Sequence, residues 1–243
     1  MSAITINLQA VTRRIADAVE AAQRASGTVK LIAVTKTFPA SAIVDAIAAG
    51  QFAFGENYVQ EAVTKIAEVN ALLGGDPGKR QGSAQWHFIG PIQSNKTRML
   101  AEHFDWVHSV DRLKIAERLS DQRSPDRPPL MVLIQVNTSD EASKSGVALH
   151  EAEALARAVA ALPRLKFCGL MAVPEATGSF ESQRAAFAPL RALAAALRAA
   201  GLACNELSMG MSADLEAAIA EGATMVRVGT AIFGVRGAER MST

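Results

Sequence analysis

Short β-branched or apolar runs alternate with helix-length amphipathic segments along nearly the whole chain, and this alternation restricts the fold more than any other feature. The runs fall at Lys30–Thr35, Gln51–Gly55, Gln85–Ile89, Trp106–Ser109, Leu130–Val136, Lys166–Leu170, Ala203–Ser208 and Thr224–Val228, and each reads as a strand. Between them, apolar residues return at helical spacing over Ser41–Ala49, Tyr58–Leu72, Ser94–His103, Arg112–Arg123, Leu149–Leu162, Ser179–Ala200 and Ala213–Glu221. A further helix leads the chain through Leu8, Val11, Ile15, Val19 and Ala22, and Ser26-Gly27 ends it. Eight strands, seven intervening helices and one leading helix in 243 residues predict an α/β chain with a single domain over residues 1–243: a (β/α)8 TIM barrel with an additional N-terminal helix. A doubly wound open sheet uses the same alternation; strand count and length favour the barrel. Gly74–Ser83 and Ser124–Pro129 each precede a strand and read as bottom-side loops.

Charge excludes several classes of partner. Lys+Arg number 25 against 24 Asp+Glu, a net charge of +1, with 49% hydrophobic residues. That balance suits a sizeable core rather than disorder, and it argues against nucleic acid or an anionic membrane as the main partner. The longest stretch without charge, Gln81–Asn95, contains His87, glycines and amides, unlike the ~20 apolar residues of a membrane span. The start of the chain does not read as a secretory signal. Cys168 and Cys204 lack metal-ligand spacing, which suits a reducing cytoplasm and small buried hydrophobes.

In a barrel, chemistry sits at the carboxyl ends of the strands. The first strand ends in LIAVTKTFPA, placing Lys36 at the mouth. A desolvated lysine there is a nucleophilic amine for an aldehyde, whereas the plain reading is a solvated loop charge. The second ends in FGENYVQEA, where Asn57 either faces the mouth or caps a helix. The third holds His87, read as a core histidine with one satisfied nitrogen, and His103 and His108 are not read as a metal site. Gln135–Val147 is a long polar loop, solvated by default.

The last segment, ELSMGMSADLEAAIAEGATMVRVGTAIFG, is the most informative. Loops after the seventh and eighth barrel strands are a recurring phosphate site. Gly229 permits close backbone approach and Thr230 adds a hydroxyl, while Asp214 and Glu216 repel an anion from their own helix. A phosphate therefore falls between Ser208 and Gly229-Thr230. Arg227 either faces outward or lies inward beneath the ring of a phosphorylated cofactor. A lysine for an aldehyde, a phosphate cradle and an arginine for a ring nitrogen together describe pyridoxal 5′-phosphate. The stripe Arg184, Arg191 and Arg198 reads either as an interaction stripe or, as the plainer reading, a solvated face.

These residues resemble those of a known family. The runs AVTKTFPA, FGENYVQEA, WHFIGPIQSNK, VHSVDR, LIQVNTSDEASKSGV, GLMAVPE and the closing segment are similar to the pyridoxal phosphate homeostasis proteins, also called the proline synthetase co-transcribed family. The resemblance spans the first to the eighth strand. It implies a barrel like the amino-terminal domain of alanine racemase, with pyridoxal 5′-phosphate held as a Schiff base on Lys36 and Arg227 facing the pyridine nitrogen. Ser208, Gly229 and Thr230 would hold the phosphate, with Asn57 and Met209 in the cofactor's surroundings. Thr35 stands where many members carry Ser and should point away from Lys36.

The resemblance also implies a role in vitamin B6 and amino-acid homeostasis without established catalysis. A protonated arginine leaves the ring nitrogen unprotonated and the cofactor a poor electron sink. The racemases add a tyrosine through a second domain that this chain is expected to lack, and Tyr58, the one tyrosine, reads as outward or packing. The expectation is a cytoplasmic, monomeric cofactor carrier, not an enzyme, that meets pyridoxal-phosphate-dependent apo-enzymes transiently. The alternatives are a weak amino-acid racemase or transaminase with Lys36 as base, and a barrel for another phosphorylated metabolite.

Overall fold

The computed structural model describes residues 2–74, 84–139, 145–175 and 178–234. Helix α1 (Ala3–Ala21) opens the chain, its Ser2 cap hydroxyl accepting from the Thr5 N–H. Leu8, Val11, Ile15, Ala18 and Val19 share one helical face and are buried, so one stripe packs while the rest meets water. Strands and helices then alternate: β1 (Lys30–Val34), α2 (Ala40–Ala48), β2 (Ala53–Glu56), α3 (Val59–Leu72), β3 (Gln85–Phe88), α4 (Thr97–His103), β4 (Trp106–Val110), α5 (Leu113–Gln122), β5 (Leu130–Asn137), β6 (Val147–Ala148), α6 (Ala152–Ala160), β7 (Leu165–Met171), α7 (Phe180–Ala199), β8 (Glu206–Ser208), α8 (Leu215–Ala220), β9 (Met225–Val228) and α9 (Thr230–Phe233).

The parallel ladder runs β1–β2–β3–β4–β5–β7–β8–β9 and returns from β9 to β1, so eight strands close into the (β/α)8 barrel with α1 beside it. The expected doubly wound competitor is thereby set aside, because an open sheet has no β9-to-β1 ladder. β6 lies outside the closed circuit and pairs with Val136 and Asn137 of β5. It begins at Val147, the last residue of the polar loop of the sequence reading, of which residues 140–144 lie outside the described residues. The Gly74–Ser83 loop likewise falls almost wholly outside them, at 75–83.

Parallel strands are buried on both faces and need helices outside. The outer core joins strand residues such as Phe54, Phe88 and Val107 to helix residues such as Ile43, Leu100 and Leu190. A separate inner cluster, Ile32, Ala53, Trp106, Leu133, Cys168, Met171 and Met225, fills the barrel. The two-residue period of a strand puts Arg227 on the same inward face as Met225. Both cysteines are buried and unbridged, and burial pushes each thiol up to about 11.

The arginine stripe of α7 is exposed in part, with the Arg184 and Arg191 side chains 41% and 57% exposed, and it also makes bonds to neighbouring elements. Arg184 and Arg191 each donate at 2.8 Å to one oxygen of Glu221, whose side chain is 5% exposed, and Arg198 donates to the Cys204 carbonyl. The seven-residue spacing places successive guanidinium groups along one helix face, where they fasten α7 to the end of α8 and to the loop before β8.

Candidate functional site

Lys36 lies two residues beyond β1, half-buried at the carboxyl end of the barrel. The backbone on either side of it is held by one cluster of charges. Lys65 of α3 donates at 2.7 Å to the Thr35 carbonyl, to Glu56 Oε1 and to Glu61 Oε1. Glu61 in turn accepts from the Thr37 N–H at 2.6 Å. Thr37 has φ +68°, a left-handed conformation that costs about 1–3 kcal/mol in a non-glycine residue and persists only when its surroundings impose it. Thr35 turns away from the mouth, as expected, and its hydroxyl donates to Glu56 Oε1 at 2.7 Å. Burial pushes the Glu56 carboxyl up, with Lys65 opposing.

Asn57 follows β2 directly. Tyr58 is the N-cap of α3 and makes no side-chain cap bond, so Asn57 does not cap that helix. Its Oδ1 is buried and has no partner among the described residues. The β1–β2 register pairs Val34 with Gly55, which brings Lys36 level with Asn57 above the last ladder rung. Tyr58 itself is 56% exposed.

Arg227 points into the barrel and is 4% exposed. Nη1 donates to the Ser208 carbonyl at 2.6 Å and to Ser208 Oγ at 2.8 Å, and Nη2 donates to the Ala172 carbonyl at 3.0 Å. A guanidinium carries five N–H donors, so Nε and one Nη2 hydrogen stand beyond these three bonds. Burial lowers the group to about 10, with the Asp214 charge opposing, and it remains a cation at neutral pH.

Ser208 and Met209 are fully buried beneath this arginine, the Met209 N–H bonding the Met225 carbonyl. Gly210 has φ +91°, and a Cβ there would stand 2.5 Å from the Ala218 Cβ; its carbonyl accepts from the Arg227 N–H at 3.0 Å. The Ser208 hydroxyl is engaged by Arg227 and, at 2.9 Å, by His108, which gives it a supporting place below the arginine rather than an open one beside an anion. Gly229, half-buried, precedes α9, and Thr230 is exposed. A Cβ on Gly229 would meet the Val34 carbonyl at 3.2 Å, so the backbone just past β9 packs closely on the end of β1, two residues before Lys36. The Phe38 and Phe233 rings pack against each other, tilted by 35°, with centroids 5.1 Å apart. Asp214 and Glu216 are occupied elsewhere: Asp214 accepts from the Met211 N–H and Glu216 pairs with Arg14.

Two groups escape a reading by strand ends. The Glu56–Lys65–Glu61 cluster comes from a strand and a helix flank; the Glu61–Lys65 spacing of four was its one visible signal. His87 is the expected core histidine, but both of its nitrogens have partners rather than one, with His108 2.9 Å away. Adjacent strands β3 and β4 bring together two inward residues that are 21 apart in sequence.

The chain matches the alanine racemase N-terminal domain family over residues 6–237. It is 57% identical over 236 residues to the pyridoxal phosphate homeostasis protein of Pseudomonas aeruginosa, covering 97% of each chain, and 52% identical to that of Escherichia coli strain K12, covering 97% of this chain and 98% of the other. The chain belongs to the pyridoxal phosphate homeostasis protein family. PipY of Synechococcus elongatus, solved with PLP bound, is 38% identical with a TM-score of 0.75, over 90% of this chain and 100% of that one. Alanine racemase of Corynebacterium glutamicum, 21% identical with a TM-score of 0.66 over 99% of this chain and 63% of its own, shares the fold.

Proposed function

We propose that this chain is a single-domain pyridoxal 5′-phosphate carrier that holds the cofactor as a Schiff base on Lys36 and serves vitamin B6 and amino-acid homeostasis without turnover of its own. The observation that carries the reading is the pairing of a clamped, half-buried lysine with an inward, donor-only arginine at the same end of the barrel. The residues present fit the group: an orphaned amide oxygen on Asn57, two remaining N–H donors on Arg227, and a glycine whose Cβ would crowd the Val34 carbonyl.

When bound, the cofactor supplies an aldehyde that condenses reversibly with a primary amine, water leaving. Lys36 supplies that amine, and Lys65 and Glu61 fix the peptides before and after it. Gly229 and Thr230 at the mouth hold the phosphate, with Ser208 and Met209 supporting from below and Asn57 flanking. Arg227 keeps its own proton, so an aromatic nitrogen placed against it accepts a hydrogen bond and gains no charge. Tyr58 faces solvent and holds no proton over the site, which favours storage over a two-base exchange of an α-hydrogen. The same reading makes the chain a cytoplasmic monomer, with transient delivery to apo-enzymes.

Absorbance titration with pyridoxal phosphate tests this. Wild type is expected to develop a visible band at one equivalent, and Lys36→Ala to lose it. A Lys36→Ala protein with unchanged binding would make the lysine a mere charge and the barrel a site for some other phosphorylated metabolite. Deuterium exchange at the α-carbon of added amino acids, faster than with free cofactor, would replace the carrier by a weak racemase or transaminase.

A further inference from the structure

A line of polar side chains runs down the inside of the barrel beneath Arg227. Arg227 Nη1 lies 2.8 Å from Ser208 Oγ, Ser208 Oγ 2.9 Å from His108 Nδ1, and His108 Nε2 2.9 Å from His87 Nδ1. His87 Nε2 then lies 3.3 Å from Gln85 Oε1, which Lys30 Nζ also reaches at 3.3 Å at the amino end of the strands. Both histidines are fully buried. His87 stacks on Trp106 at 5.4 Å with an 11° interplanar angle, and Lys30 sits over the same indole at 5.6 Å.

Arginine and lysine can donate but not accept, and that decides where every proton in the line sits. Lys30 requires the oxygen of Gln85 to face it, so Gln85 Oε1 accepts from His87 Nε2–H as well. His87 Nδ1 is then bare and accepts from His108 Nε2–H. His108 Nδ1 is bare in turn, and the Ser208 hydroxyl donates to it. Ser208 Oγ thereby keeps its lone pairs for the Arg227 N–H. The opposite polarity fails at both ends: it would aim the Gln85 amide nitrogen at an ammonium and leave Ser208 Oγ facing two donors with its own hydrogen unplaced. A neutral state of both rings is the one this count requires, and burial above all holds both imidazoles well below their ordinary value, with Arg227 and Lys30 adding to it at His108 and with His108 and Lys30 adding to it at His87.

We infer that His108 and His87 are positioning residues for Arg227, locked as Nε2–H tautomers so that the Ser208 hydroxyl accepts from the guanidinium and orients it towards the cofactor ring. The inference rests on the proposed cofactor reading for its purpose, and on geometry alone for its proton placement. Without the bare Nδ1 of His108, the Ser208 hydroxyl is free to rotate, and Arg227 loses a fixed acceptor 2.8 Å from Nη1.

Long-range proton–nitrogen correlation spectra of histidine-labelled protein without added cofactor, at neutral pH, read the tautomers directly. The expected result is Nε2–H with bare Nδ1 for both His87 and His108, assigned through His87→Phe and His108→Phe. A Nδ1–H tautomer or a charged ring at either position overturns the inference. A second reading uses His108→Asn, whose amide oxygen replaces Nδ1 as acceptor, and His108→Phe, which replaces nothing. Cofactor affinity should stay within about 3-fold of wild type in His108→Asn and fall about 10-fold in His108→Phe, with the Arg227 Nε–H signal displaced in the latter alone. Equal affinity in the two variants, or an unmoved Arg227 signal in folded His108→Phe, also overturns it. If wild type binds no pyridoxal phosphate while the tautomers are as stated, the cofactor reading fails and the proton placement stands.

Discussion

Replacing Lys65 by Met removes the one cation among two carboxylates and two backbone contacts that fix the peptides around Lys36. The Lys65–Glu56 pair is 2.7 Å long with side chains 5% and 0% exposed, so water cannot replace the lost partner. Breaking a buried pair from one side costs about 3–5 kcal/mol, because the surviving charge is left in the interior. Glu61 is 33% exposed on its side chain and resolvates, so Glu56 carries most of the penalty. For a domain of this length each kcal/mol shifts the melting temperature by about 2–4 °C, and a loss of 4 kcal/mol predicts a fall of about 8–16 °C in a thermal scan followed by circular dichroism. Adding Glu56→Leu to Lys65→Met removes the stranded charge and should recover about 2 kcal/mol. Cofactor affinity should not recover with it, since the Thr35 carbonyl still lacks its donor. A Lys65→Met protein within about 1 kcal/mol of wild type, or a double variant less stable than the single, would refute the clamp.

Three further outcomes follow from the same geometry. Gly229→Ala places a methyl 3.2 Å from the Val34 carbonyl and should weaken pyridoxal phosphate binding by about 10-fold while costing about 1 kcal/mol of stability; unchanged affinity would remove Gly229 from the site. Glu221→Ala deprives Arg184 and Arg191 of their shared acceptor and should cost about 2 kcal/mol in urea unfolding, discounted for partly exposed arginines, with cofactor binding untouched. Acid pH should destabilise the fold through His87 and His108, whose folded values lie well below the ordinary imidazole value through burial first and neighbouring charge second. Below about pH 6.5 the unfolded chain takes up these protons and the folded chain does not, so each histidine removes about 1.4 kcal/mol per pH unit. Glu56 and Asp105, pushed up by burial, work the other way, since the folded state binds their protons first as pH falls. His87→Gln should therefore flatten the loss between pH 6.5 and 5 by about 1.4 kcal/mol per unit against wild type, and parallel curves would contradict this.

The barrel was legible because each strand candidate carries its own apolar run and each helix its own period. Strand ends were the weaker part: the run read as Ala203–Ser208 pairs only over Glu206–Ser208, because the Cys204 N–H turns back to the Leu202 carbonyl before the ladder begins. Lys36, Asn57, Arg227 and Gly229 could be picked out as candidates because they stand at or near strand ends. Glu56, Lys65 and Glu61 could not, since a buried ion pair between a strand and a helix leaves no period in sequence. His87 and His108 were seen singly, and only the β3–β4 register makes them a pair. The bonds of the α7 arginines were hidden for a related reason: regular spacing fixes a helix face but not what that face meets, and here partly solvated guanidinium groups also meet the buried Glu221.

Borohydride reduction of the cofactor-loaded protein, followed by proteolysis and mass mapping of the modified peptide, tests the central claim most directly. The account predicts one pyridoxyl adduct per chain, on Lys36, in the peptide that contains LIAVTKTFPA. Label on Lys65, or scattered over exposed lysines with Lys36 unmodified, would contradict it.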